Sequence, residues 1–369
     1  MISNKLKMKK EMIHLMVGNN WDTKLLAGFY ILNEKYKKNN IKVSEIYGSL
    51  LDNPIGTARP NYRVQDKSLS YFEMFIKSAK RMGIDINYTI NTPCFGSLQN
   101  LKEKETEIID FLQYLENVGI RRVTLSHPLL IDFVNKYTKL QIELSTIYEI
   151  DNIQALNYFE EKIDKVCMKI AKNRDFKFLK TFQEEAVSKG ITVELLANEF
   201  CYIYCVDRTQ CYLLHGHTKE KNKLYGFYPM GKCISKRYQE PVEWIKAPFI
   251  LPQWMSFYQE NVNINHFKIT GRTHPTKYIL WVTEQYMKKV FCGNLLELWA
   301  HLENIGKEEG DYSAPQYTID INKSKLLHNK NNFLDMLSSN SIDCAIDCGY
   351  KCILCNTVIS EKDVLQKLK

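Results

Sequence analysis

No run of about 18 uninterrupted apolar residues occurs in this 369-residue chain, so no segment has the length and greasiness of a membrane-crossing helix. The opening residues Met-Ile-Ser-Asn-Lys-Leu-Lys are positively charged but lack the apolar stretch of a secretory signal. The expectation is a cytoplasmic protein without membrane contact. Also missing are Gly-x-Ser-x-Gly, His-Glu-x-x-His and Gly-x-x-x-x-Gly-Lys-Ser/Thr, which removes the commonest hydrolase, metalloprotease and nucleotide-triphosphatase readings. No Gly-x-Gly-x-x-Gly follows the first expected strand, so the dinucleotide fingerprint of an open doubly wound sheet is absent. Internal repeats and low-complexity tracts are lacking too.

What is present is a globular composition, 45% hydrophobic, 12% aromatic and 25% charged. The length suits one large α/β domain, or one with a small appendage. The net charge of +8 is the small difference between 50 basic and 42 acidic residues. Its plain reading is a solvated surface, and its functional reading is a weak pull toward RNA or another anionic partner.

Short β-prone runs near 13–17, 41–50, 84–92, 122–126, 141–147, 165–170, 191–197 and 265–272 alternate with helical periodicities. Leu25, Leu26, Phe29 and Leu32 form one apolar stripe; Phe72, Phe75, Ile76 and Ala79 form another, and Ile108, Leu112 and Leu115 a third. Regular β-then-α alternation predicts a TIM-barrel-like (β/α) domain over residues 10–304, with residues 305–369 as a C-terminal extension. The turn-rich 52–63 stretch reads as a long loop at the functional face. After Cys211 the chain reads as loop through His215-Gly-His217 and a charged 219–223 run, and Pro275 opens a long helix.

Eleven cysteines stand in the chain, and eight of them fall in two knots. Where the run ending at Ala197 stops, Glu199 is followed by Cys201, Cys205 and Cys211, with Cys233 further on, making a cysteine loop over 199–233. Parallel α/β folds place their chemistry at such strand ends. The second knot is Cys344-x3-Cys348-x3-Cys352-x2-Cys355, over 344–355. Four thiolates satisfy one iron–sulfur cluster or one structural zinc, so the expected cofactor is a [4Fe–4S] cluster, one or two of them. Zinc is the rival, though no histidine pair spaced by three to five residues accompanies the terminal knot. The last three cysteines copy the spacing of radical S-adenosylmethionine enzymes, but those carry it early in a barrel and here it lies at the far end. Cys94, Cys167 and Cys292 read as unliganded thiols. Glu199 and His215 are the candidates for moving a proton, and Arg208, His217 and Arg272 for holding an anionic substrate. Each of these five also has an ordinary reading as a loop or hydrogen-bonding residue.

The segments Lys172-Asn-Arg-Asp-Phe-Lys-Phe-Leu179, Val193-Glu-Leu-Leu-Ala-Asn-Glu-Phe-Cys201-x3-Cys205, Ala247-Pro-Phe-Ile-Leu-Pro252 and Phe267-Lys-Ile-Thr-Gly-Arg272 together resemble peptidase family U32, the collagenase-like group. The likeness runs over roughly residues 10 to 300. It is weaker at the N-terminus, where His14-Leu-Met-Val-Gly18 replaces the usual Ala-Pro-Ala-Gly. The family name records a proteolytic assignment, yet the sequence shows no recognisable protease site. The resemblance implies a barrel with a [4Fe–4S] cluster on four cysteines, acting in oxygen-independent hydroxylation of RNA bases or of a small aromatic quinone precursor, with prephenate as donor in some relatives. By position, Cys201 and Cys233 match the cluster ligands, Cys205 and Cys211 compete for a third place, and the terminal knot is a source for the fourth. The alternatives are a peptidase or peptide-modifying enzyme, and a non-catalytic metal-stabilised partner of a paralogous protein.

Overall fold

The computed structural model describes residues 11–59, 66–217, 228–299, 317–328, 333–339, 342–348 and 350–368. Eight parallel strands close into a barrel in chain order: β1 (Ile13–Gly18), β2 (Ile41–Gly48), β3 (Asp85–Ile90), β4 (Arg122–Leu125), β5 (Gln141–Leu144), β6 (Lys165–Cys167), β7 (Thr192–Leu196) and β8 (His266–Ile269). Closure is made by β1 against β8, with Leu15 beside Phe267 and Val17 beside Ile269. The TIM-barrel-like α/β fold expected from the alternation is therefore what the chain adopts.

The helices form where apolar spacing and caps agree. Asp22 accepts a hydrogen bond from Lys24 N at 2.9 Å to open Thr23–Tyr36, Ser68 accepts from Tyr71 N at 3.3 Å to open Leu69–Arg81, and Asp175 accepts from Phe178 N at 3.0 Å to open Phe176–Ser188. Each cap satisfies an N–H that the helix itself leaves unpaired. The three predicted apolar stripes are buried against the barrel.

Three local expectations are corrected. Arg208–His217 and Tyr228–Gln239 are helices, so Cys211, His215 and Cys233 stand on regular elements, not in one long loop. The sixth strand stops at Cys167, and Ile170–Arg174 winds as a 3-10 turn. The long helix spans Thr276–Lys288, with Pro275 as its cap residue.

Beyond the barrel, β9 (Tyr317–Ile319) pairs antiparallel with β10 (Leu365–Lys367). Ile319, Leu327, Phe333, Leu334, Val358 and Val364 are buried in the same contiguous core as the barrel helices. The expected boundary at 304/305 and the charged 219–223 run lie outside the described residues.

Candidate active site at the barrel mouth

A cavity of about 210 Å³ opens at the C-terminal ends of the strands. Its floor is built inside the barrel. Glu45, Asn87, Glu143, Lys165, Glu194 and Lys268 sit on strands yet are almost wholly buried, because alternate strand residues point into the lumen. Lys165 Nζ lies 2.9 Å from Glu45, 3.1 Å from Glu143 and 3.1 Å from Glu194. Lys268 pairs with Glu143 and lies 3.0 Å from Glu194, while Arg122 pairs with Glu45. Three carboxylates thus face three cations, and Asn87 ties Glu45 to Glu143 through bonds of 3.1 and 2.8 Å.

Burial alone would raise the carboxyls of Glu45 and Glu143, but Lys165 and its neighbouring cations outweigh it and hold both below the usual range. For Glu194, burial and the Glu143 charge win and the carboxyl is pushed up. Ligand atoms of Glu143, Cys167 and Glu194 lie within 4.8 Å of one another. A metal there would have to displace the two lysines, and burial beside Glu194 pushes the Cys167 thiol well up. This group is a neutralised barrel core, not the best thiolate site in the chain.

The family-like segments lock one another. Asn198 Oδ1 accepts from Thr270 N at 2.6 Å and from Thr270 Oγ1 at 3.0 Å, joining the end of β7 to the loop after β8. Asn173 Nδ2 donates to the carbonyls of Leu196 and Pro248, each at 2.8 Å. Arg174 donates to the carbonyls of Ile245 and Ala247. Side chains carried by one segment therefore satisfy backbone groups of the others, and the rim is held by a hydrogen-bonded weave.

On that rim Cys201, Cys205, Cys211 and Cys233 all line the same cavity. Glu199 Oε1 accepts from Phe200 N at 2.8 Å and Cys201 N at 3.0 Å, so this candidate proton carrier holds the turn that presents the first thiol. The hydrogen bond from the Cys233 thiol pulls Cys205 down to about 6, and the same contact pushes Cys233 up. The two thiols titrate as a pair, and the direction of both shifts favours the thiolate on Cys205. Burial pushes Cys211 up to about 11, and burial with the Glu199 charge raises Cys201 well above an ordinary thiol. Two buried arginines brace the rim. Arg208 donates to the carbonyls of Tyr202 and Ile203 and pairs with Glu149 at 3.4 Å; Arg237 donates to the carbonyls of Phe200, at 2.6 Å, and Cys233. Among the described residues the buried Nε of each has no hydrogen-bond partner.

The lining of the same cavity is also cationic. Arg272 is 9% exposed and donates to Thr89 Oγ1 at 2.5 Å and Thr57 Oγ1 at 2.9 Å. Among the described residues no carboxylate pairs with it, and Arg59 shares the cavity. Burial and the Arg59 charge push Arg272 down, to about 9. A guanidinium keeps its proton at neutral pH, so the wall carries unmatched positive charge. Gly18 makes the placement possible: a Cβ there would meet the Arg272 backbone nitrogen at 2.7 Å.

Of the residues singled out from sequence, Glu199, Arg208, His215 and Arg272 line the cavity with the four rim cysteines. His217 does not, and it is exposed at the end of its helix. Two positions on a helix differ by about 200° in direction, so His215 and His217 cannot face one site. Cys344, Cys348, Cys352 and Cys355 line a separate small cavity on the outside of the barrel and none lines the mouth. Sequence reasoning did not single out Arg59 or Lys268 and set Cys167 aside as unliganded, although all three reach the mouth cavity. For Lys268 the signal was a lone charge within an apolar strand.

No family model matches the chain. It is 30% identical to an uncharacterized protease of Methanocaldococcus jannaschii over 275 residues, 72% of this chain and 77% of that protein. Among solved structures, the U32 peptidase Mk0906 aligns with a TM-score of 0.46 and 14% identity over 61% of this chain and 86% of its own. A GH113 β-1,4-mannanase aligns at 0.38 and 10% over 70% and 87%. No described helix is long and apolar enough to cross a membrane. With the four motif segments interlocked around the mouth and a relative of that identity along most of its length, this chain belongs to peptidase family U32.

Proposed function

We propose that the mouth thiols hold a [4Fe–4S] cluster and that the protein is a U32-type modifying enzyme acting on an organic acid beside it. The observation that carries this reading is one cavity lined by four thiols together with Arg59 and Arg272, the latter without a carboxylate partner among the described residues. The donor set fits the cluster. Four thiolates around one zinc would stand about 3.8 Å apart, given bonds of about 2.3 Å. Among the described residues no three rim sulfurs come within 4.8 Å of one another, which leaves room for a larger inorganic core. Arg208 and Arg237 supply buried positive charge beside the thiolates, as an anionic cluster requires.

A bound cluster supplies a one-electron couple at the mouth. The chain's own residues do the rest. Arg272 and Arg59 fix a carboxylate, and Thr89 and Thr57 hold the Arg272 guanidinium in place. The neutralised floor below Lys268 closes the lumen. The reaction class that fits the family resemblance is oxygen-independent hydroxylation, with the oxygen atom drawn from an organic donor. Because Arg272 is buried, the pocket suits a small aromatic acid that enters whole better than an RNA backbone that stays outside.

The second reading is proteolysis, the activity in the relative's name, and Cys211 Sγ at 4.0 Å from His215 Nε2 is the observation that favours it. That separation is beyond the usual reach of a nucleophile–base pair, and the thiol is pushed up, not activated. Anaerobically reconstituted protein, assayed with aromatic acids, with RNA and with labelled peptides, separates the readings. Cluster-dependent hydroxylation lost in Arg272→Gln supports the proposal. Peptide cleavage by metal-free protein, lost in Cys211→Ala, contradicts it.

A further inference from the structure

The mouth leaves the terminal cysteine knot unused. Cys344, Cys348, Cys352 and Cys355 line one small cavity together with Arg174, Lys246 and Ile203. The loop that carries them is shaped by its own polar groups. Asp347 accepts from Asp343 N at 2.8 Å through its side chain, and its carbonyl accepts from Tyr350, Lys351 and Cys352 N. Asp343 Oδ1 in turn accepts from Ala345 N at 2.7 Å. Cys348 and Cys352 form an isolated parallel bridge, and Cys344, Cys352 and Cys355 pack against the main core.

A second, independent feature is Arg174. It is 5% exposed, and among the described residues no carboxylate pairs with it and its buried Nε has no hydrogen-bond partner. Its guanidinium is held by the carbonyls of Ile245, Lys246 and Ala247 and lies over the Phe249 and Phe333 rings, so a fixed buried positive charge lines the thiol cavity, where its effect on Cys344 and Cys355 favours the thiolate. The Nζ of Lys246, the other cation lining this cavity, lies 2.6 Å from Glu243. As at the mouth, no three of these four sulfurs come within 4.8 Å of one another among the described residues, wider than the edge of about 3.8 Å around one zinc.

We infer that Cys344, Cys348, Cys352 and Cys355 hold a second [4Fe–4S] cluster on the outer side of the barrel, with Arg174 as its buried counter-cation. This assignment does not depend on the mouth reading. The two sites are nonetheless neighbours along the chain: Ile203 lines the outer cavity, while Cys201 and Cys205, two residues to either side, line the mouth. Cys348 is exposed, so one edge of the outer site meets solvent while the other touches the loop that presents two mouth thiols.

The test is iron and acid-labile sulfide per chain in the full-length protein prepared without oxygen, with zinc measured on the same samples. The wild type should hold about four irons at the knot, and about eight in all with the mouth loaded. Cys348→Ser/Cys352→Ser should retain about four with the mouth signal intact by electron paramagnetic resonance. Cys201→Ser/Cys233→Ser should also retain about four, now at the knot, so the result does not hang on one variant folding. The assignment is overturned if Cys348→Ser/Cys352→Ser leaves the iron count of the wild type unchanged. Loss of one zinc and no iron in that variant overturns it equally.

Discussion

At the residue scale, the thiols and the arginines of the mouth separate experimentally. Arg272→Gln should leave the iron content unchanged while weakening the binding of an aromatic carboxylate at least about tenfold by calorimetry, the usual scale for losing a charge-assisted bond. Equal affinity in the variant would remove the anion wall from the account. Gly18→Ala should do the same indirectly, because its Cβ occupies the space of the Arg272 backbone. In the lumen, Lys165→Met leaves Glu45 and Glu194 each one cation short and takes one of two from Glu143. Breaking a buried ion network in this way costs about 3–5 kcal/mol, to be read as a lower urea midpoint at pH 7; a change within the scatter of surface variants would show that the network is not a stabilising core.

At the element scale, the strands were readable because short apolar runs recur between amphipathic helices: seven of the eight expected runs contain a strand of the barrel, and the first stops one residue short of the end of β1. The helix Arg208–His217 was not readable. Gly216 suggests a loop by propensity, but here it is present for close packing, since a Cβ would meet Pro93 Cδ at 3.2 Å. Missing the helix also led to grouping His215 with His217. The rim cysteines were legible as a cluster because thiols are rare and conspicuous, whereas the cationic wall was only half legible. Arg59 is far from Arg272 in sequence, and what joins them is barrel closure, which no local pattern records. The charge layer of the lumen leaves a trace as Glu45 in β2, Arg122 in β4, Glu143 in β5, Lys165 in β6, Glu194 in β7 and Lys268 in β8, a pattern that an open polar-faced sheet would also give.

At the scale of the whole molecule, the thiols gather at the top of the barrel and a pair of half-buried histidines lies at its bottom. Near the bottom, His14 and His266 stack with ring centroids 4.7 Å apart. Burial, helped by Lys42 and Lys165, pushes His14 down to about 4, and burial beside His14 pushes His266 down to about 3. Both are neutral in the folded barrel, while the unfolded chain takes up protons below about 6.5. Their contribution is therefore complete above that pH and is lost progressively as pH falls toward 4. The thermal midpoint should drop between pH 7 and pH 5, and His266→Phe should shrink the drop; an unchanged pH dependence in that variant would place the acid sensitivity elsewhere.

The most direct test of the central claim is an anomalous difference map at the iron edge from crystals grown without oxygen. The account predicts a compact iron peak enclosed by the sulfurs of Cys201, Cys205, Cys211 and Cys233, facing Arg272 across the mouth. A mouth without iron, its four sulfurs turned away from a common centre in protein that is otherwise fully loaded, would contradict it.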